Sequence, residues 1–279
     1  MLLRLIVLLA MVSAAVLGLV LGIFESIGWL WAYPLLVLSF VLLGLAVAFL
    51  YLLILCKQVD PDVEQEVDDP HYRKVMELYL DSLLPLVRVS VRTTGRDKLP
   101  KGRFMLVCNH CSNADPIILL RELSGCQISF ISKKENRDMF VIGPMMHKLL
   151  CQMIDRNNDR EALKTIIKCV RLLQDDKVSV GVFPEGGISK PDRKLHRFRP
   201  GVFKIAQKAK VPIVVCTLKN TKYVIPNLLK LRPTRVELDI VAVLEPEEVA
   251  SGSTTQLAEK AYELMARNLG PENVAEDTP

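Results

Sequence analysis

Two short stretches of the chain carry side chains of the kinds that move protons or hold anions. The first is Asn109-His110-Cys111-Ser112-Asn113-Ala114-Asp115-Pro116, which directly follows the apolar run 104–108. Asp115 before Pro116 reads as a helix N-cap with proline at the first helical position, so a turn folds Asp115 back towards His110. In that geometry the carboxylate accepts a hydrogen bond from one imidazole nitrogen, fixes the tautomer and leaves the other nitrogen as a base. Such a pair, lacking a nucleophile of its own, activates a hydroxyl that belongs to the substrate. On spacing alone, HxxxxD also fits a histidine in a turn and an aspartate capping a helix, and that plainer reading leads. Cys111 and Ser112 have no G-x-S-x-G elbow around them and read as turn residues.

The second stretch, VSVGVFPEGGIS over 178–189, reads as a strand followed by Pro184-Glu185-Gly186-Gly187. Two glycines after a strand let backbone approach a ligand, and Glu185 puts an anion at a strand end, where α/β sites gather. The spacing Gly181-x4-Gly186 suggests a phosphate loop, but Gly187-Ile188 stands where Lys-Ser/Thr is required; a plain tight turn is the alternative. Beyond it, residues 190–199 hold five cations, Lys190, Arg193, Lys194, Arg197 and Arg199, against the single Asp192. Runs of this kind are usually a solvated face. Beside a glycine-rich turn, some of these groups are candidates for holding a phosphate.

The elements that must position these residues follow from hydrophobic patterning. Short apolar runs predict strands over 104–108, 127–131, 151–154, 178–183, 213–218 and 236–243, and helical periodicity predicts helices over 72–86, 137–149, 160–174, 202–210 and 254–268. That alternation predicts an α/β fold with a mixed central sheet flanked by helices. The last helix is punctuated by Ser253 with Gln256 as a capping box and by Gly270.

Residues 1–56 are of another kind, carrying one cation, Arg4, and one anion, Glu25, around uncharged runs over 5–24 and 26–56. About 20 apolar residues span a bilayer core, so the expected organisation is a membrane-anchoring helical hairpin at 1–56 with both ends in the cytoplasm. An α/β domain at 57–270 and a flexible tail at 271–279 follow it. A cleaved signal peptide plus one anchor, or a re-entrant hairpin, are the alternatives for the front end.

Of the 279 residues, 50% are apolar and 24% charged, with a net charge of +5 and a mean hydropathy of +0.26. These values exclude a wholly soluble chain, a disordered one and a collagen-like one. The seven cysteines lie mostly in apolar runs, as small buried hydrophobes in a reducing compartment do. Cys108 and Cys111 form a CxxC, but no second ligand pair accompanies it, so no metal is expected. Residues 57–235 hold 33 basic and 20 acidic side chains, whereas 236–279 hold 2 and 10. A basic body suits anionic lipid headgroups or phosphate-bearing substrates; no nucleic-acid-binding pattern accompanies the charge.

Taken together and in this order, the motifs resemble the glycerolipid acyltransferase family, of the bacterial 1-acyl-sn-glycerol-3-phosphate acyltransferase type. Asn109-His110-Cys-Ser-Asn-Ala-Asp115 matches its NHxxxxD block, Phe183-Pro184-Glu185-Gly186 its FPEG block and Val211-Pro212-Ile213-Val214 its hydrophobic VPI block. Lys133-Lys134-Glu135, Gly143 and Ile154-Asp155-Arg156 fall at the spacing of the block that ends in arginine, and Phe198-Arg199-Pro200-Gly201 resembles the segment opening the helix after FPEG. The chain departs from the pattern at Gly187-Ile188, where Thr-Arg is common, and at Phe140, Leu150 and Met153.

The resemblance implies a membrane-bound acyltransferase of phospholipid biosynthesis, sited in a cell membrane of the bacterial inner-membrane type with its catalytic body on the cytoplasmic side. His110 would be the general base and Asp115 its orienting partner. Glu185, Gly186, Arg156 and Lys134, with Lys190, Arg193 and Arg199, would line the acceptor site. The acyl donor would be a thioester of acyl-carrier protein or coenzyme A, the acceptor a lysophospholipid, with no tightly bound cofactor, no metal and no nucleic acid. Lysophosphatidic acid is the expected acceptor; another lysophospholipid or glycerol-3-phosphate is the runner-up. A non-catalytic anionic-lipid-binding protein and a thioesterase are the readings from other classes.

Overall fold

The computed structural model describes residues 1–155, 157–188 and 193–275; Arg156 and Lys190 lie outside the described residues. The chain divides into two compact units, Met1–Val63 and Glu64–Pro279.

In the first unit, helices α1 (Leu2–Val20) and α2 (Ala32–Lys57) pack together. Both are long and apolar enough to cross a membrane. Close packing relies on small residues: a Cβ on Gly44 would lie 2.7 Å from the Ile6 side chain. Two short 3₁₀ turns, Ile23–Glu25 and Ile27–Trp29, connect the helices. There the rings of Phe24 and Tyr33 meet at 5.6 Å and those of Trp29 and Trp31 at 6.1 Å, the aromatic connection that suits an interfacial turn.

The second unit opens with α3 (Pro70–Leu86), whose N-cap Asp69 accepts the N–H groups of His71 and Tyr72 ahead of a proline in the first turn. Then follow β1 (Val89–Thr94), β2 (Met105–Cys108), α4 (Asp115–Glu122), β3 (Ile128–Lys133), α5 (Ile142–Lys148), β4 (Gln152–Ile154), α6 (Asp159–Gln174) and β5 (Ser179–Val182). The chain ends with α7 (Lys204–Ala209), β6 (Ile213–Lys219), α8 (Val224–Leu229), β7 (Thr234–Leu244), α9 (Pro246–Ser251) and α10 (Thr254–Leu269).

The strands form one mixed sheet in the order β1-β7-β6-β2-β5-β3-β4. The five strands β6, β2, β5, β3 and β4 run parallel, while β7 pairs antiparallel with β6 and carries β1 parallel to itself. Alternate residues of the central strands face opposite sides. Met105, Val107, Val180 and Val182 pack with α6, α7 and α10, whereas Leu106, Cys108, Val214 and Cys216 pack with Ile118 and Leu119 of α4. Burial on both faces is why these strands read as unbroken apolar runs.

The expected strands and the mixed sheet are present, with differences that have local causes. Strand β1, half-polar and alternating, is an addition to the expected set, as are α8 and α9. The helix expected over 137–149 is instead a 3₁₀ segment, Lys134–Asp138, followed by α5 alone. Pro144 is tolerated only in the first turn of a helix, so α5 starts at Ile142 and does not run back to 137, where the ring would strike the carbonyl one turn earlier. Gly143 also packs so close to the 3₁₀ segment that a Cβ would lie 1.9 Å from the Arg137 carbonyl oxygen. The helix expected over 202–210 begins as a 3₁₀ turn, Pro200–Phe203, and stops where Lys210 turns left-handed at φ 59°. The capping box of Ser253 with Gln256 forms as expected. Residues 271–275 are held to the body rather than loose: Leu195 and Val274 pair as an isolated bridge, and the Ala275 N–H donates to the Leu195 carbonyl at 3.0 Å.

Candidate active site

Parallel strands bring their carboxyl ends to one edge of the sheet, and the order β6-β2-β5-β3 sets β2 between β6 and β5. The loop after β2 therefore sits beside the turn after β5, at a place where the chain crosses over a strand in each direction. Such switch points are where open α/β sheets bind ligands.

The loop after β2 carries His110 and is held from both sides. Asn109 is buried and clamps β6 in both directions: its amide donates to the Leu218 carbonyl at 2.9 Å and its oxygen accepts the Leu218 N–H at 2.8 Å. On the other side, the His110 N–H donates to Glu185 Oε1 at 2.8 Å, and Glu185 Oε2 accepts the His196 N–H at 3.2 Å. One carboxylate thus joins the β2 loop, the turn after β5 and the segment that leads to α7.

His110 Nδ1 lies 2.9 Å from Asp115 Oδ2. Because a carboxylate accepts, Nδ1 carries the hydrogen and the basic lone pair sits on Nε2. The same oxygen accepts the N–H groups of Cys111 at 2.7 Å and Ser112 at 2.8 Å. Asp115 was expected to be the N-cap of α4; it is the helix's first residue, Ala114 takes the cap position, and the side chain turns back onto the loop. The Asp115 side chain is fully buried, whereas that of His110 retains 14% exposure. The imidazole keeps some exposure, whereas the carboxylate that holds it is sealed. The imidazole also stacks on the Phe183 ring at 4.0 Å and 16°, and Phe183 in turn stacks on Phe130 at 5.4 Å.

The turn after β5 closes with the Gly186 N–H on the Phe183 carbonyl at 3.0 Å. Gly186 has φ 84°, which favours glycine. A Cβ there would also lie 2.7 Å from Arg199 Nε, so the Arg199 side chain runs directly past this turn. Its N–H donates to the Pro184 carbonyl at 2.9 Å. Arg193 donates from Nη1 to the Lys222 carbonyl at 3.2 Å, on the β6 side of the loop. Lys134 begins the 3₁₀ segment after β3 at the same sheet edge, its Nζ 3.9 Å from Asp155 at the end of β4. Arg156 and Lys190, the other two expected acceptor-site cations, lie outside the described residues.

Two supports of the His110 imidazole and its loop are ones the spacing argument passes over: the ring of Phe183 and the clamp by Asn109. Both are first letters of the matched blocks, so a signal for them existed. Cys111 is disposed of as a nucleophile, because burial first and the nearby Asp115 charge second push its thiol up to about 12. It donates instead to the Arg193 carbonyl at 3.3 Å. Cys108 is fully buried and its thiol is raised well above the ordinary value, chiefly by burial.

A hydrogen-bonded His–Asp pair at the carboxyl edge of a mixed sheet, with no activated serine or cysteine beside it among the described residues, suits attack by a substrate hydroxyl. The sequence pattern of the Acyltransferase family matches residues 90–219, the stretch that contains both loops. Residues 90–219 thus belong to this family. Among relatives, a 1-acyl-sn-glycerol-3-phosphate acyltransferase of Chlamydomonas reinhardtii is 32% identical, covering 74% of this chain and 62% of that protein. One of Saccharomyces cerevisiae with the same name is 27% identical over 66% of this chain and 61% of its own. The chain therefore spans about three fifths of these two curated relatives. The crystal structure of the 1-acyl-sn-glycerophosphate acyltransferase PlsC from Thermotoga maritima shares the fold, with a TM-score of 0.60 at 22% identity, covering 78% of this chain and 85% of that one.

Proposed function

We propose that the protein transfers an acyl chain from a thioester of acyl-carrier protein or coenzyme A to the sn-2 hydroxyl of 1-acylglycerol-3-phosphate, giving phosphatidic acid. The observation that carries this reading is the His110–Asp115 pair at the mouth of the sheet edge. The names of the relatives supply the acceptor. The acceptor's hydroxyl gives its proton to His110 Nε2 as its oxygen adds to the thioester carbonyl carbon. Asp115 holds the resulting imidazolium, and backbone N–H groups hold the oxyanion. Collapse of the tetrahedral intermediate breaks the carbon–sulfur bond, and the imidazolium returns a proton to the leaving thiolate.

Glu185 and Gly186 shape the acceptor side of this site, and the acceptor's phosphate is taken by cations along the edge. Arg199, running past Gly186, stands beside the turn in which Gly187-Ile188 replaces Thr-Arg. Lys134 and Arg193 flank it, and Arg156 and Lys190 complete the set. The two apolar helices of the first unit keep the enzyme at a cell membrane, of the bacterial inner-membrane type with the second unit on the cytoplasmic side, where amphiphilic acceptor and product reside. The missing arginine favours one second reading, an acceptor that is another lysophospholipid or glycerol-3-phosphate.

The test is transfer by the purified chain from both donor types to a panel of acceptors. Lysophosphatidic acid is expected to give the highest kcat/KM. His110→Ala is expected to lower transfer by about 10²–10⁴-fold, the usual contribution of a general base. Near-normal transfer by that variant would overturn the mechanism, and preference for another acceptor would replace the substrate.

A further inference from the structure

The loops after β3 and β6 leave the same sheet edge as the His110 loop, one on each flank of it. Each presents apolar side chains to solvent. After β3, Met139 and Phe140 are 44% and 76% exposed; after β6, Leu229 and Leu231 are 81% and 73% exposed, with Tyr223 and Ile225 beside them. The second tip is firmly built. Val224 anchors α8 in the core, the Asn227 carbonyl accepts the N–H groups of Lys230 and Arg232, and the Asn227 amide donates to Thr234 Oγ1 at 3.0 Å. The leucines are therefore held outward rather than frayed outward. From Lys219 to Arg235 the sequence carries five cations, Lys219, Lys222, Lys230, Arg232 and Arg235, and no acid. Phe140 is also one of the places where the chain departs from the acyltransferase pattern.

We propose that this edge of the sheet docks on an anionic bilayer leaflet, with Phe140 and the Leu229–Leu231 tip entering the headgroup region on either side of the His110 loop. A rigid apolar tip collared by cations complements such a surface in both respects, hydrocarbon below and negative headgroups around. Two separate tips flanking a loop suit a broad yielding surface better than a compact protein partner. Docked in this way, the loop that carries His110 faces the leaflet, and an amphiphile reaches it without leaving its monolayer. An acidic protein is the competing occupant, and the experiment distinguishes it.

Phe140→Cys and Leu229→Cys, each carrying the environment-sensitive fluorophore NBD, would be placed in the full chain and reconstituted in vesicles. The vesicles are phosphatidylcholine alone or phosphatidylcholine mixed with phosphatidylglycerol. Glu259→Cys, on the exposed face of α10, is the reference, and the labelled native chain is the blank for its own thiols. The expected result is a blue shift with a several-fold emission rise at both tips in the anionic vesicles, quenched by lipid-borne nitroxide, with Glu259→Cys unchanged. Replacing Lys230 and Arg232 by Gln is expected to reduce the shift. Water-like emission at both tips, or immersion of one alone, would overturn the docking. Equal immersion in phosphatidylcholine would overturn the anionic preference. A shift produced in detergent only by an acidic acyl-carrier protein would assign the edge to that partner. The fluorescence reports depth and not turnover, so it stands or falls apart from the acyl-transfer reading.

Discussion

Asp115 concentrates three hydrogen bonds on one oxygen, two from loop amides and one from the imidazole, so the backbone of the loop and the tautomer of its base are set by the same atom. Asp115→Asn keeps these bonds only with its amide oxygen in the place of that atom, and it then lacks the negative charge that holds the imidazolium formed when the substrate's proton is taken. The expected outcome is a kcat lower by about 10²–10⁴-fold with a nearly unchanged melting temperature; a kcat close to that of the native chain would show that the charge of the carboxylate does not assist His110. The His110–Asp115 partnership was legible once the FPEG block was read beside the first motif; the HxxxxD spacing alone left the turn-and-cap reading ahead. Their supports were less so. Asn109 reaches Leu218 across 109 positions, and Phe183 meets His110 only once β5 lies beside β2. Contacts of that kind are products of the sheet order: the matched blocks mark the two residues as first letters without saying what they touch.

At the scale of elements, the stack of His110 on Phe183 on Phe130 depends on a gap in β5. Gly181 pairs with Phe130 of β3, and a Cβ there would lie 2.5 Å from the Phe130 ring. Gly181→Ala is therefore expected to push that ring aside at a cost of about 1–3 kcal/mol, the range for overpacking a core. The stack beneath the imidazole should shift with it. Thermal unfolding should fall by several degrees and kcat should fall with KM little changed; unaltered kinetics would mean that the imidazole does not depend on its aromatic floor. The central strands were readable as apolar runs because both of their faces are covered. Strand β1 was not, since its alternation of Val with Ser, Arg and Thr is that of a half-exposed strand, and α5 was shortened by a proline whose effect a periodicity argument overlooks.

For the whole molecule, the two apolar clusters on either side of the sheet draw every residue from the second unit, Glu64–Pro279. A chain beginning at Glu64 is expected to retain a cooperative unfolding transition, followed by circular dichroism. A broad, non-cooperative melt would mean that the first 63 residues contribute to the core. The break between an almost uncharged front end and a basic body was plain in the composition. The joining of distant loops at the site was not, and Glu185 is its clearest case. Since a single carboxylate fastens the amides of both His110 and His196, the segment proposed to border the acceptor and the loop that bears the proposed base share one peg. On that proposal, reshaping the former to admit a different alcohol would also reseat the latter, and selectivity and speed would be inherited together.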